Sequence, residues 1–224
     1  MNCRHSTDME FNFSYTVFYE DEYLLIVNKP AGMLVHPTVK EDGSTLYNYV
    51  AHYYKQQGLL HNIHPVSRLD RNTSGLVIFA KEPRIQFLLS QQEVIKKYLG
   101  IVTGTLPADR GIIEAPISRK EGSSIERCVS PNGKYARTDY KLISRRKHLS
   151  MLELQLHTGR THQIRVHMAY IGFPLCGDEM YGGDMSGIKR HALHCGEVSF
   201  TQPVTKEIIR LTSPLPADMS ELIK

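Results

Sequence analysis

Nothing in this chain approaches the roughly 20 consecutive apolar residues of a membrane helix. The opening residues MNCRHSTDMEFNFSYTVFYE also lack the apolar centre of a signal peptide. The expected location is therefore the cytoplasm, with no membrane partner. Cysteine is sparse: Cys3, Cys128, Cys176 and Cys195 are scattered and form no C-x-x-C pair. Without an export signal they read as reduced thiols rather than a disulfide framework or a zinc site, and no structural metal is expected. Internal repeats and linker-like stretches are missing too, which argues against a solenoid or a string of small domains.

What remains is an ordinary globular composition, 41% apolar and 22% charged over 224 residues, enough to bury a full core. Net charge is only +4, but it is unevenly spread. Residues 1–63 hold 4 Lys/Arg against 7 Asp/Glu, whereas residues 64–224 hold 23 against 16. Nine of those cations fall between Arg119 and Lys147 (Arg119, Lys120, Arg127, Lys134, Arg137, Lys141, Arg145, Arg146, Lys147). Such a concentration suits a polyanion, because each neutralised phosphate releases counterions; a solvated basic hairpin is the plainer alternative.

Hydrophobic patterning orders the chain. After a polar leader (residues 1–14), Tyr23 to Asn28 reads as a strand, and Met33 to Pro37 as a second short one ended by Pro37. Ser44 or Thr45 can cap a helix running to about Gly58, and Pro83 opens another. Lys96 to Val102 is strand-like, and residues 104–135 suggest hairpins and loops. Met151 to Leu156 alternates cleanly, placing Leu152, Leu154 and Leu156 on one face. Thr161 is a plausible N-cap for a short helix containing Ile164, Arg165 and Met168. Extended segments resume over 191–200 and 207–211, and a tail follows from residue 218. The pattern predicts one α+β unit over residues 15–217.

The stretch His64 to Lys81, HPVSRLDRNTSGLVIFAK, stands out. Arg68, Asp70 and Arg71 crowd a loop, Asn72-Thr73-Ser74-Gly75 makes a turn, and Leu76 to Ala80 forms an unbroken apolar strand. An Asp between two arginines favours its ionised form, which suits a nucleophile or an electrostatic partner better than a proton donor. Taken alone, such an Asp more often closes a turn on the surface. His157, His162 and His167 recur every five residues, a spacing that does not gather them on one helical face as a metal pair requires.

Four ordered blocks carry a resemblance: KPAG followed by HP at Lys29 to Pro37, SRLDRNTSGL at Ser67 to Leu76, KKYLGIVTG at Lys96 to Gly104, and LHTGRTHQIRVHMAYIGFPLCGD at Leu156 to Asp178. Weaker matches follow at Tyr181-Gly182 and Leu193-His194. With these blocks the chain resembles the RluA-type RNA pseudouridine synthases. The resemblance implies a single catalytic domain on a mixed, mainly antiparallel sheet, with flanking helices and a central RNA-binding cleft. It implies Asp70 as the catalytic carboxylate, Tyr98 beside the base and Arg165 paired with the carboxylate. Arg68 would enter the space left by the flipped nucleotide, and Arg71, Thr73, Arg160, His162 and Gln163 would line the RNA site. The reaction breaks the N-glycosidic bond, turns the uracil and rejoins it through C5, so no cofactor or metal is demanded. Asp70 could attack C1′ of the ribose, add to C6 of uracil, or take a proton from C2′. Tyr98 could relay the C5 proton if its pKa is shifted.

Ser67 departs from the family, which usually has His there. No counterpart of the small N-terminal S4 domain of many relatives is expected, so target capture would rest on the catalytic domain, acting as a monomer on ribosomal or transfer RNA. A rival reading is an RNA-binding or assembly factor that keeps the fold without the chemistry. A metal-dependent deaminase or nuclease lacks the ligand pattern zinc needs.

Overall fold

The computed structural model describes residues 16–38, 44–58 and 63–224. The leader, residues 1–14, lies outside the described residues. In chain order the elements are β1 (Thr16–Glu20), β2 (Leu24–Lys29), α1 (Leu46–Gln56), β3 (His64–Pro65), β4 (Ser74–Ala80), α2 (Pro83–Ser90), β5 (Ile95–Thr103) and β6 (Arg110–Glu114). They continue with β7 (Ile117–Arg119), β8 (Arg127–Val129), β9 (Arg137–Arg146), β10 (Leu149–Leu156), α3 (Gln163–Tyr170), a tight turn at Glu179–Tyr181, β11 (Leu193–Thr201), β12 (Ile208–Thr212) and α4 (Ala217–Leu222). No helix among the described residues is long and apolar enough to cross a membrane.

Among the described residues ten strands join in one mixed sheet, ordered β1-β2-β4-β11-β5-β10-β9-β6, with β3 added to β4 and β12 to β11. Strands β7 and β8 form a separate hairpin. Every residue of β4 is buried, as its unbroken apolar run requires. It packs in a common core with Leu24–Val27 of β2, Tyr49 and Val50 of α1, and Ile85 and Leu89 of α2.

One pairing departs from the antiparallel rule: β4 and β11 run parallel, with Ser74 opposite His194 and Gly75 opposite Cys195. Gly75 permits it. At φ +119° an added Cβ would lie 2.3 Å from the Cys195 carbonyl oxygen, so only a glycine lets the two backbones meet. Beyond this contact β11 bulges between Cys195 and Glu197, and β12 pairs with Glu197 to Thr201.

Several local expectations change. Met33 to Pro37 is not a strand, because other groups take its carbonyls: Leu34 and Val35 accept from the first amides of α1, and Met33 from the Lys29 ammonium. Thr45 caps α1 with a reciprocal box to Asn48. Helix α3 is preceded by His162 in the left-handed region, φ +58°, not by a Thr161 cap. The residues read as a tail include α4, whose Met219 is wholly buried against Ile101, Cys176, Ile188 and Ala192.

Strand β9 also redraws the basic patch. It is half-buried in alternation, with Thr138 and Tyr140 inward and Arg137, Asp139 and Lys141 outward. At about 3.3 Å per residue, its two ends are roughly 30 Å apart. The cations of the β7–β8 hairpin and those at Arg145 to Lys147 are therefore separate surface clusters. Arg145 is paired with Asp109, Arg137 with Asp139 and Glu114, and Lys120 with Glu126.

Candidate active site

The turn Asp70-Arg71-Asn72-Thr73 leads directly into β4, and its backbone is held from both sides. The Thr73 amide closes the turn by donating to the Asp70 carbonyl at 3.1 Å. The Arg71 carbonyl accepts from the Gly32 amide (2.9 Å) and from Lys29 Nζ (3.0 Å). Arg190 Nη1 donates to the Asn72 carbonyl at 3.1 Å, Thr73 Oγ1 lies 2.8 Å from His191 Nε2, and Ser74 Oγ lies 2.9 Å from His194 Nδ1. The loop carrying Asp70 is thus anchored by the KPAG turn on one side and by the segment entering β11 on the other.

Lys29 is fully buried, and burial draws its pKa down to about 7 against the opposing pull of Asp70. Its three acceptors, the carbonyls of Pro30, Met33 and Arg71 at 2.8, 2.8 and 3.0 Å, match the three donors of an ammonium. A neutral amine has only two N–H groups, so this arrangement holds the proton on. Arg190 is likewise a brace: its fork grips Asp218 of α4 at 2.7 and 3.0 Å, while Nη1 also reaches the carbonyls of His191 and Leu193.

The Asp70 side chain is 28% exposed and faces two donors. Arg165 Nη1 is 3.5 Å from its Oδ2, and His162 Nε2 is 3.9 Å away. Arg165 is buried on α3 and makes its closest bonds elsewhere: Nε and Nη2 donate to the two oxygens of buried Asp178 at 2.8 and 2.7 Å. Its guanidinium stacks over the Tyr181 ring, 4.9 Å from the centroid. Tyr98, buried on β5 opposite Cys195, has its pKa raised well above the ordinary phenol value, first by burial, then by Cys195 and Asp70. Its hydroxyl keeps its proton at neutral pH, which makes it a poor base and leaves its ring as a flat wall.

The remaining residues named from the sequence fall in different places. Arg68 and Arg71 are exposed; Arg68 lies close enough to His36 to add to the lowering of the His36 pKa that burial begins. Thr73 is buried behind the turn, bonded to His191. Arg160 is exposed and donates to the Tyr135 carbonyl. Gln163 is buried, with its amide engaged four times: it donates to the Arg137 carbonyl and Thr138 Oγ1, and accepts from Thr158 Oγ1 and the Arg160 amide. Ser67 is buried behind β4, its hydroxyl 3.4 Å from the Ile78 amide that donates to it.

The three regularly spaced histidines go to three separate partners: His157 to Asp139, His162 to Tyr181, and His167 to Thr138 and the Ala115 carbonyl. No cluster of three potential metal ligands occurs among the described residues. An open groove of about 630 Å³ lined by Arg110, Asp139, Lys141 and Glu153 among others includes neither Asp70 nor its partners.

Sequence reasoning missed Lys29, Asp178, Tyr181, Arg190, His191 and His194 as members of this network. Lys29, Asp178, Tyr181 and His194 lie inside or beside the recognised blocks, so the blocks were the available signal. Nothing local marks Arg190 or His191.

The profile of the RNA pseudouridylate synthase family matches residues 23–170. Two Bacillus subtilis proteins described as uncharacterised RNA pseudouridine synthases, YjbO and YlyB, are 41% and 42% identical to it, each over 93% of this chain and over 75% and 71% of their own lengths. A ribosomal large subunit pseudouridine synthase D from Buchnera aphidicola is 37% identical over 96% of this chain and 75% of its own. The fold matches the human RNA pseudouridylate synthase domain containing 1 with a TM-score of 0.74 at 23% identity, covering 90% of this chain and 83% of that one. By its sequence the chain belongs to the RNA pseudouridylate synthase family, among the RluA-type members.

Proposed function

We propose that the chain isomerises specific uridines of ribosomal or transfer RNA to pseudouridine, as an intramolecular transferase, with Asp70 as the catalytic carboxylate. The carrying observation is the half-open Asp70 carboxylate set between Arg165 and His162, near Tyr98, on a turn braced at each residue. A charged carboxylate in a partly dry site needs a cation beside it, and Arg165 supplies that.

Asp70 attacks the ribose, adds to C6 of the base, or removes the C2′ proton; each route uses the ionised side chain. Tyr98 offers a ring against which an extruded uracil can lie. Its raised pKa argues against its acting as the base that removes the C5 proton. Flipping a base out of a stack costs a few kcal/mol, offset by contacts to the displaced backbone and to the gap. Exposed Arg68 and Arg71 beside Asp70 suit those contacts, as do Arg160 and the β7–β8 cations. Thr73 and Gln163 act from behind, by fixing the turn and the start of α3. Ribosomal RNA is favoured by the relative that acts on the large subunit. The reading has the protein act as a cytoplasmic monomer and calls on no cofactor or metal.

The test is Asp70→Asn. Tritium release from RNA carrying [5-³H]uridine should vanish while filter binding of the same RNA persists. Near wild-type turnover by the variant would refute the assignment.

A further inference from the structure

Two hydrogen bonds run from the backbone of β8 to the His162 ring, whose far edge faces the Asp70 carboxylate. The Arg127 amide donates to Tyr181 Oη at 3.0 Å, and Tyr181 Oη lies 2.9 Å from His162 Nδ1. The opposite ring nitrogen, Nε2, faces Asp70 Oδ2 at 3.9 Å. A backbone N–H can only donate, so Tyr181 Oη is an acceptor in the first bond. Of its two partners among the described residues, only Nδ1 can receive the hydroxyl hydrogen. Giving that hydrogen to Nδ1 leaves the imidazole proton on Nε2, pointing at a carboxylate; the opposite tautomer would have Oη accept twice and leave its own hydrogen without a partner among the described residues.

We infer that His162 is a positioning residue for Asp70, held by Tyr181 as the Nε2–H tautomer so that its N–H is aimed at the carboxylate beside Arg165. This rests on the reading of Asp70 given above. Two further observations agree. His162 sits at φ +58°, a conformation uncommon outside glycine that tends to persist at sites where the surroundings impose it. Its ring also stands edge-on to Tyr181, centroids 5.8 Å apart, while the face of the same tyrosine lies under Arg165. One phenol therefore orients both donors that face Asp70.

The charged and titratable groups around the imidazole include Asp70, Arg165, Asp178, Arg127, Tyr181 and His191. Burial is the largest influence and lowers the His162 pKa, with Asp70 opposing it, so the ring is neutral at pH 7 and a single tautomer is meaningful. Because these bonds begin on the β7–β8 hairpin, displacement of that hairpin by a bound nucleic acid would reach His162 through Tyr181, as well as through the hairpin's packing on Val166 of α3.

The experiment combines nitrogen NMR with turnover. In long-range ¹H–¹⁵N spectra of the full-length protein at pH 7, with His162 assigned by the signal missing from His162→Gln, the ring should show the Nε2–H pattern. Tyr181→Phe keeps the ring under Arg165 and removes only the hydroxyl; it should give a tautomer mixture and lower kcat about tenfold with KM for RNA little changed. His162→Gln, whose amide can place an N–H where Nε2 was, should recover activity that His162→Ala lacks. An Nδ1–H pattern in the wild type overturns the relay. So does a Tyr181→Phe protein with unchanged spectrum and kcat, or equal activity in the Gln and Ala variants. If the wild type forms no pseudouridine in any RNA, the functional reading fails, while the spectra still decide the tautomer.

Discussion

Arg165 is bound to Asp178 more closely than to Asp70: two bonds of 2.8 and 2.7 Å to the first, one approach of 3.5 Å to the second. The guanidinium fork is occupied by Asp178, and a single Nη1 is presented to Asp70. This divides the work of the arginine. Asp178 fixes its plane and offsets part of its burial, and Asp70 keeps an open side for a substrate.

Asp178→Asn should therefore weaken the fold as well as the reaction. Removing one member of a buried pair leaves the other charge poorly matched, a loss of about 3–5 kcal/mol for full disruption and less where the amide oxygen still accepts. Urea unfolding should show a lower midpoint with an unchanged slope. Arg165, freed from Asp178, should turn toward Asp70 and slow turnover. An unaltered midpoint would contradict this.

Gly75→Ala should be far more damaging than Gly122→Ala. Both glycines have positive φ, +119° and +74°, but a Cβ at Gly122 meets open space while one at Gly75 meets the Cys195 backbone at 2.3 Å. Strain alone costs roughly 1–3 kcal/mol; at Gly75 the β4–β11 contact must also part. Soluble yield and far-UV circular dichroism of the two variants should differ clearly.

Buried His194 makes stability fall in mild acid. Burial lowers its pKa to about 4 in the folded state, aided by Arg190, against about 6.5 in the unfolded chain. Between these values the unfolded chain binds more protons. Its contribution is thus fully present above about pH 6.5 and is lost as pH falls toward 4, a difference on the order of 3 kcal/mol. His194→Gln should flatten the drop in unfolding free energy between pH 7 and 4.5. Parallel curves for variant and wild type would rule this out.

Arg190→Lys should slow turnover without weakening RNA binding. A lysine carries one point charge and cannot hold the Asn72 carbonyl while gripping Asp218 with a fork. Small displacements of a reacting group cost roughly 10- to 100-fold. Tritium-release kinetics should show that loss in kcat with KM nearly constant.

Local elements were legible because short-range rules decide them. Thr45 caps α1, Pro83 opens α2, and the run through Leu76 to Ala80 is β4, each as its own residues dictate. Met33 to Pro37 was misread since its carbonyls are claimed by Lys29 and by α1, partners that extended-strand propensity does not register. Strand β9 was hidden because its outward face is mostly charged and its inward face opens with Thr138 and Tyr140, leaving Leu142 as its one inward aliphatic.

By itself the sequence determined the turn-then-strand that carries Asp70, the order of the motif blocks, and the reaction they imply, since these depend on residue types at fixed spacing. Only the tertiary structure decided that Arg165 is shared with Asp178, that His191 and Arg190 reach back across 118 residues to the Asp70 turn, and that the basic residues split into two clusters. Those outcomes follow from which strands lie side by side, and a hydrogen bond between distant residues exists only once the sheet has brought its donor and acceptor within 3 Å or so.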